Sequence, residues 1–97
     1  MITKTVGETL SVRTTVKENG SAKDITGGTA KARLRGRSHD VVIDGTISLT
    51  GATGLIDATF AAPTTVDKYD FEQFLTLDAE TQMVSRDVFN YIKSVYP

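Results

Sequence analysis

Apolar and polar residues alternate along most of this chain with period two, as they do in strands that bury one face and wet the other. The clearest stretch is Asp24-Ile-Thr-Gly-Gly-Thr-Ala-Lys-Ala-Arg-Leu-Arg35. A bend at Thr26-Gly27-Gly28 leads into a strand over 29–35, with Ala30, Ala32 and Leu34 on one side and Lys31, Arg33 and Arg35 on the other. Residues 2–6 form a first strand, ending at Gly7. Leu10, Val12, Thr14 and Val16 mark the buried side of a second. Glu18-Asn19-Gly20-Ser21 is a hairpin-type turn, because Asn-Gly takes positive φ at little cost.

Gly36 to Asp40 is a polar loop, and 41–43 is a short strand closed by Asp44-Gly45. Strands over 46–50 and 55–61 flank a tight turn at Gly51-Ala-Thr-Gly54, and the pattern breaks at Pro63, which has no N–H for a ladder. The strongest strand is 68–77, with Tyr69, Phe71, Leu75 and Leu77 on one face and Asp70, Glu72 and Thr76 on the other. Gln73 then points inward and Phe74 outward. Either a bulge sits there, or Phe74 covers the outer surface as a contact residue. A turn at 78–81 precedes a last strand over 82–92. Val88, Tyr91, Ile92 and Val95 also fit a helical period, but the β-branched and aromatic content favours strand.

Seven or eight short strands with turn signals about every 8–12 residues predict an all-β chain, a two-sheet antiparallel sandwich. At 97 residues it is one domain, with the sandwich over 1–92 and a tail over 93–97. There is no cysteine, which removes disulfides and thiolate chemistry. No apolar run follows Met1 or approaches a membrane span, so the expectation is a protein made in the cytosol, away from membranes. Net charge is −1 but unevenly placed. Residues 1–37 carry eight Lys and Arg against three carboxylates, and 38–97 carry nine carboxylates against three Lys and Arg. The two parts can attract each other within the fold or between copies.

Val66-Asp67-Lys68-Tyr69-Asp70-Phe71 resembles the start of strand F in immunoglobulin-like domains, where the tyrosine hydroxyl bonds back to the upstream corner. Phe71 stands where antibody domains have cysteine, and Ala32 or Leu34 where they have tryptophan, so the antibody type is excluded. A wider resemblance runs through Gly7-Glu-Thr-Leu10, Val16 with Asn19-Gly20, residues 24–35, Gly45-Thr-Ile-Ser-Leu49, Gly54-Leu-Ile-Asp-Ala-Thr-Phe60 and Asp67-Lys-Tyr-Asp-Phe71. In this the chain is similar to the small immunoglobulin-like sandwiches of tailed bacteriophages, which occur at the N-terminus of baseplate upper proteins and as stand-alone virion proteins. It departs from them at Glu8 (usually Asp), at Gly28 (usually Ala) and at Lys68, with no Gly before Tyr69.

The resemblance implies a non-enzymatic, multi-copy structural protein of the virion, made in the host cytoplasm. Its partners would be other virion proteins and further copies of itself. A head decoration, cement or neck connector is preferred over a tail or baseplate part.

The residues suggest where contacts would form. Lys31, Arg33, Arg35 and Arg37 make a basic row that either docks on an acidic partner or pairs at home with Asp70 and Glu72. The tail region offers Phe89, Tyr91 and Tyr96, as an own-sheet strand or as an arm on a neighbour, with Phe74 on the same surface. Nucleic acid is not expected, because the row lacks interleaved aromatics. His39 has no triad or metal partners in the sequence and reads as an exposed turn residue. Asp40, Asp44 and Asp57 lack cation-loop spacing, so no metal or cofactor is expected. Asn19-Gly-Ser21 is formally a glycosylation sequon and is read as a turn. The alternative role is a carbohydrate- or host-surface-binding module, which would need clustered exposed aromatics.

Overall fold

Ten strands and one short 3-10 turn make up residues 2–93, the part of the chain that the computed structural model describes. The strands are β1 (Ile2–Thr5), β2 (Leu10–Thr15), β3 (Lys17–Glu18), β4 (Ser21–Ala22), β5 (Thr29–Gly36), β6 (Val42–Asp44), β7 (Thr46–Thr50), β8 (Leu55–Phe60), β9 (Asp67–Leu77) and β10 (Glu80–Ile92). They form a five-stranded sheet ordered β1-β10-β9-β5-β6, a three-stranded sheet ordered β2-β8-β7, and the small β3–β4 hairpin. All pairings are antiparallel except β1 with β10, which is parallel. The body is elongated, 46 × 23 × 20 Å.

Alternation dictates which faces meet. Leu10, Ala58 and Phe60 from the smaller sheet pack against Ala32, Leu34, Tyr69, Phe71, Phe89 and Tyr91 from the larger. A second cluster joins Val16, Ile25, Ile56 and Leu75. Each large apolar side chain so buried contributes on the order of 2 kcal/mol. The aromatics interlock edge to face: Phe60 on Phe71 at 5.8 Å, Phe71 on Phe89 at 6.1 Å, and Tyr69 on Tyr91 at 5.6 Å between centroids. Such contacts place the electropositive ring edge over a neighbour's negative face. Phe89 and Tyr91 therefore serve the core. Their burial corrects the expectation that they are contact residues, because neither has surface left to offer. The strand continues to Ile92, so the helical period at 86–92 is not used. Tyr96 and the rest of 94–97 lie outside the described residues.

Local chemistry fixes the turns. Asn19 (φ 54°) and Gly20 (φ 83°) are the two central residues of the β3–β4 hairpin, as Asn-Gly requires. At 24–28, the Asp24 carboxylate accepts the Thr26 N–H at 2.9 Å, and the Gly28 N–H bonds the Ile25 carbonyl. Gly54 has a harder task. Its φ is 69°, its carbonyl accepts the Val16 N–H at 2.8 Å, and a Cβ there would stand 2.6 Å from the Lys23 carbonyl oxygen and 2.7 Å from that of Val16.

β9 keeps strict alternation through Gln73 and Phe74. The irregularity lies across the ladder, where Met83 faces Phe74 and Ser85 faces Gln73, leaving Val84 as the extra residue of a bulge in β10. Gln73 is fully buried. Its Nε2 donates to the Lys31 carbonyl at 2.9 Å, while its Oε1 has no partner among the described residues. The Thr14 hydroxyl is likewise unpaired on the facing sheet.

At the opposite end, the Tyr69 hydroxyl donates to the Thr65 carbonyl at 2.8 Å, which ties the 61–66 segment to the start of β9. Burial pushes the Tyr69 phenol above its ordinary pKa, so it keeps the proton that it donates.

Candidate docking face

The register places the charged residues of the large sheet in rows across its outer side. One row runs Val42–Arg35–Asp70–Val88, the next Asp44–Arg33–Glu72–Arg86, the third Lys31–Phe74–Met83. A fourth, Thr29–Thr76–Thr81, is uncharged, and the Thr76 and Thr81 hydroxyls lie 2.7 Å apart. The sequence-derived basic row is thus brought together on one face with Phe74. Two of its members are engaged at home. Arg33 meets Glu72 at 3.1 Å, and its guanidinium sits 5.5 Å from the Phe74 ring centroid. Arg37 grips Asp70 through Nη2 at 2.8 Å and Nε at 3.1 Å. The hydrogen bond from Arg37 holds the Asp70 carboxyl below its usual range, and the charges of Arg86 and Arg35 act in the same direction.

Lys31 and Arg35 have no carboxylate within 4.0 Å among the described residues. The face as a whole carries six cations (Lys31, Arg33, Arg35, Arg37, Lys68, Arg86) against three carboxylates (Asp44, Asp70, Glu72) on a chain whose formal charge is −1. A cleft of about 350 Å³ opens here, lined by Arg35, Arg37 and Arg86, by Asp70, Glu72 and Asp87, and by Phe71 and Met83.

Arg86 and Met83 belong to this face and were not found by sequence reasoning. Counting back from Phe89 in steps of two turns Met83 inward. The bulge at Val84 reverses that and turns Met83 outward beside Phe74, where it is 44% exposed. The charge asymmetry along the sequence is largely consumed inside the fold. Arg13–Asp57, Arg33–Glu72 and Arg37–Asp70 each join a cation of the first part to a carboxylate of the second.

His39 is exposed, but it is not a free turn residue. Its Nδ1 lies 3.2 Å from Asp67 Oδ2, whose side chain is only 3% exposed. The same carboxylate accepts the Ser38 N–H at 2.9 Å and, through its other oxygen, the Lys68 N–H at 2.8 Å. Burial by itself would raise the Asp67 pKa; the bonds from Ser38, His39 and Lys68 outweigh it and hold it down to about 2. This cluster pins the 37–40 loop to the start of β9. Among the described residues no group of three or more His, Asp or Glu is placed to hold a metal ion. Asp57 is held by Arg13, with its Oδ1 2.8 Å from Nε. No helix among the described residues is long and apolar enough to cross a membrane.

No protein-family model matches the chain, and neither a curated protein nor a solved structure matches it.

Proposed function

We propose that the chain is an immunoglobulin-like sandwich that serves as a non-enzymatic, multi-copy structural protein of a tailed-phage particle, joining or stabilising neighbouring virion subunits through the outer face of its larger sheet. The observation that carries the fold reading is the Tyr69–Thr65 corner within a strand order in which β10, β9, β5 and β6 face β2, β8 and β7. The parallel edge strand β1 beside β10 agrees with it. The phage assignment rests on the turn-and-strand resemblance over residues 7–71. The net positive, partly apolar outer face suits a protein whose work is geometric, since such faces set register and steer encounter with an oppositely charged neighbour. Carbohydrate binding draws no support from the aromatics: among the described residues only Phe74 is outside the core, and it lies beside a guanidinium.

Mass spectrometry of density-gradient-purified particles tests the proposal. The expected result is recovery of the chain with the particles at a fixed ratio to a major structural protein. Recovery only in the soluble fraction of the lysate would overturn it.

A further inference from the structure

Arg35 and Arg86 stand out on the outer face because each has lost its ladder partner to a neighbour. Arg35 lies directly opposite Asp70, yet Asp70 is taken by Arg37; Arg86 lies opposite Glu72, yet Glu72 is taken by Arg33. Among the described residues neither has a carboxylate within 4.0 Å. Both line the same cleft of about 350 Å³, together with Met83. Asp70 and Glu72 are engaged by Arg37 and Arg33, and Asp87, which also lines the cleft, accepts the Val88 N–H through Oδ1, so what the cleft offers an incoming group is two guanidinium ions with unused N–H donors beside an apolar wall. A guanidinium presents a planar fork of donors that matches a carboxylate.

We propose that the cleft between Arg35 and Arg86 receives an aspartate or glutamate side chain from an extended acidic segment of a partner protein, with Met83 and Val42 taking the adjoining apolar side chains. Val42 is 49% exposed in the same row as Arg35, so apolar contacts lie on both sides of the charge. An acidic protein segment fits better than nucleic acid. Stacking a base needs an open aromatic face, and Phe74 has the Arg33 guanidinium over its ring. Asp70, Glu72 and Asp87 also oppose a continuous run of phosphates more than they oppose one carboxylate placed between the two free guanidiniums. This inference deepens the proposed function and rests on it for the existence of a protein partner.

The test uses the purified chain and a fluorescein-labelled peptide of alternating glutamate and valine, followed by fluorescence anisotropy. The wild type is expected to bind the peptide at low salt and to release it as salt is raised. The Arg35→Glu, Arg86→Glu double variant is expected to bind about tenfold or more weakly. A Lys17→Glu variant, altered on the β3–β4 hairpin, is expected to bind as the wild type does. Circular dichroism checks folding, and Arg35→Gln with Arg86→Gln replaces the charge reversal if that variant unfolds. The same peptide with glutamine for glutamate is expected not to bind.

Equal binding by wild type and double variant, or no binding by the wild type, overturns the proposal. So does tighter binding of an oligothymidylate than of the acidic peptide. Loss of peptide binding with the chain still found in purified particles would leave the virion role standing; binding by a chain absent from particles would do the reverse.

Discussion

Replacing Asp67 by asparagine removes one charge from a buried carboxylate while keeping its shape, and the structure fixes the expected size of the effect. Asp67 accepts backbone N–H groups of Ser38 and Lys68 and faces the His39 ring, and its folded pKa lies at about 2 against an ordinary 3.8. That difference corresponds to about 2 kcal/mol of stability carried by the ionised form. Because the folded pKa is the lower one, the unfolded chain binds a proton between pH 3.8 and about 2 that the folded chain refuses. The contribution is therefore complete above the unfolded pKa and is lost as pH falls through that window. Urea unfolding of wild type and Asp67→Asn from pH 7 downward should give a gap of about 2 kcal/mol at neutral pH, shrinking by about half near pH 3. Other carboxylates with lowered pKa, such as Asp24, Asp57 and Asp70, titrate alike in both proteins and cancel in the difference. A gap that stays constant with pH, or is absent at neutral pH, would refute the account of Asp67 as a charged clamp on the 37–40 loop.

Two further substitutions probe the frame. Tyr69→Phe keeps the ring packed on Tyr91 but removes the hydroxyl that reaches Thr65, and should cost about 1–2 kcal/mol in the same assay; a loss within error would show that the corner bond is not needed to hold the 61–66 segment. Gly54→Ala forces a Cβ to within 2.7 Å of two carbonyl oxygens at a positive φ, so thermal unfolding should show a loss well above the roughly 1 kcal/mol typical of point substitutions, or no folded protein at all.

Much of the frame was legible because period-two alternation and turn chemistry are local. Ala32 and Leu34 went inward with Arg33 and Arg35 outward, Asn19-Gly20 made its hairpin, and Tyr69 found its corner, all from signals a few residues long. The pairing of the basic row with Asp70 and Glu72 could be named only as an alternative, since it depends on β5 and β9 being neighbours. Two parts of the site were hidden for different reasons. His39 and Asp67 are 28 positions apart and meet only because the loop after β5 folds over the start of β9. Met83 was hidden by parity: one extra residue at Val84 reverses the facing of everything on one side of it, and no local residue type announces the insertion. Phe89 and Tyr91 show the converse. An aromatic run near a chain end is compatible with an arm or with a core strand, and what decides it here is the presence of Phe71 and Tyr69 across the ladder.

The β10 bulge also bears on how copies can and cannot assemble. β1 covers β10 only from Phe89 to Ile92, so the outer edge of residues 80–88 has no strand beside it among the described residues. An uncovered edge invites another chain to extend the sheet. Here the invitation is withdrawn twice: the bulge breaks the even spacing of hydrogen-bonding groups, and Asp87 Oδ1 takes the Val88 N–H at 2.7 Å before a neighbour could. Growth by strand pairing at this edge, which would run on into fibres, is thus discouraged. Copies that bound through the sheet face would instead each sit at an angle fixed by the surface beneath, so the number bound would be set by the sites on offer and the assembly would stop when they were filled.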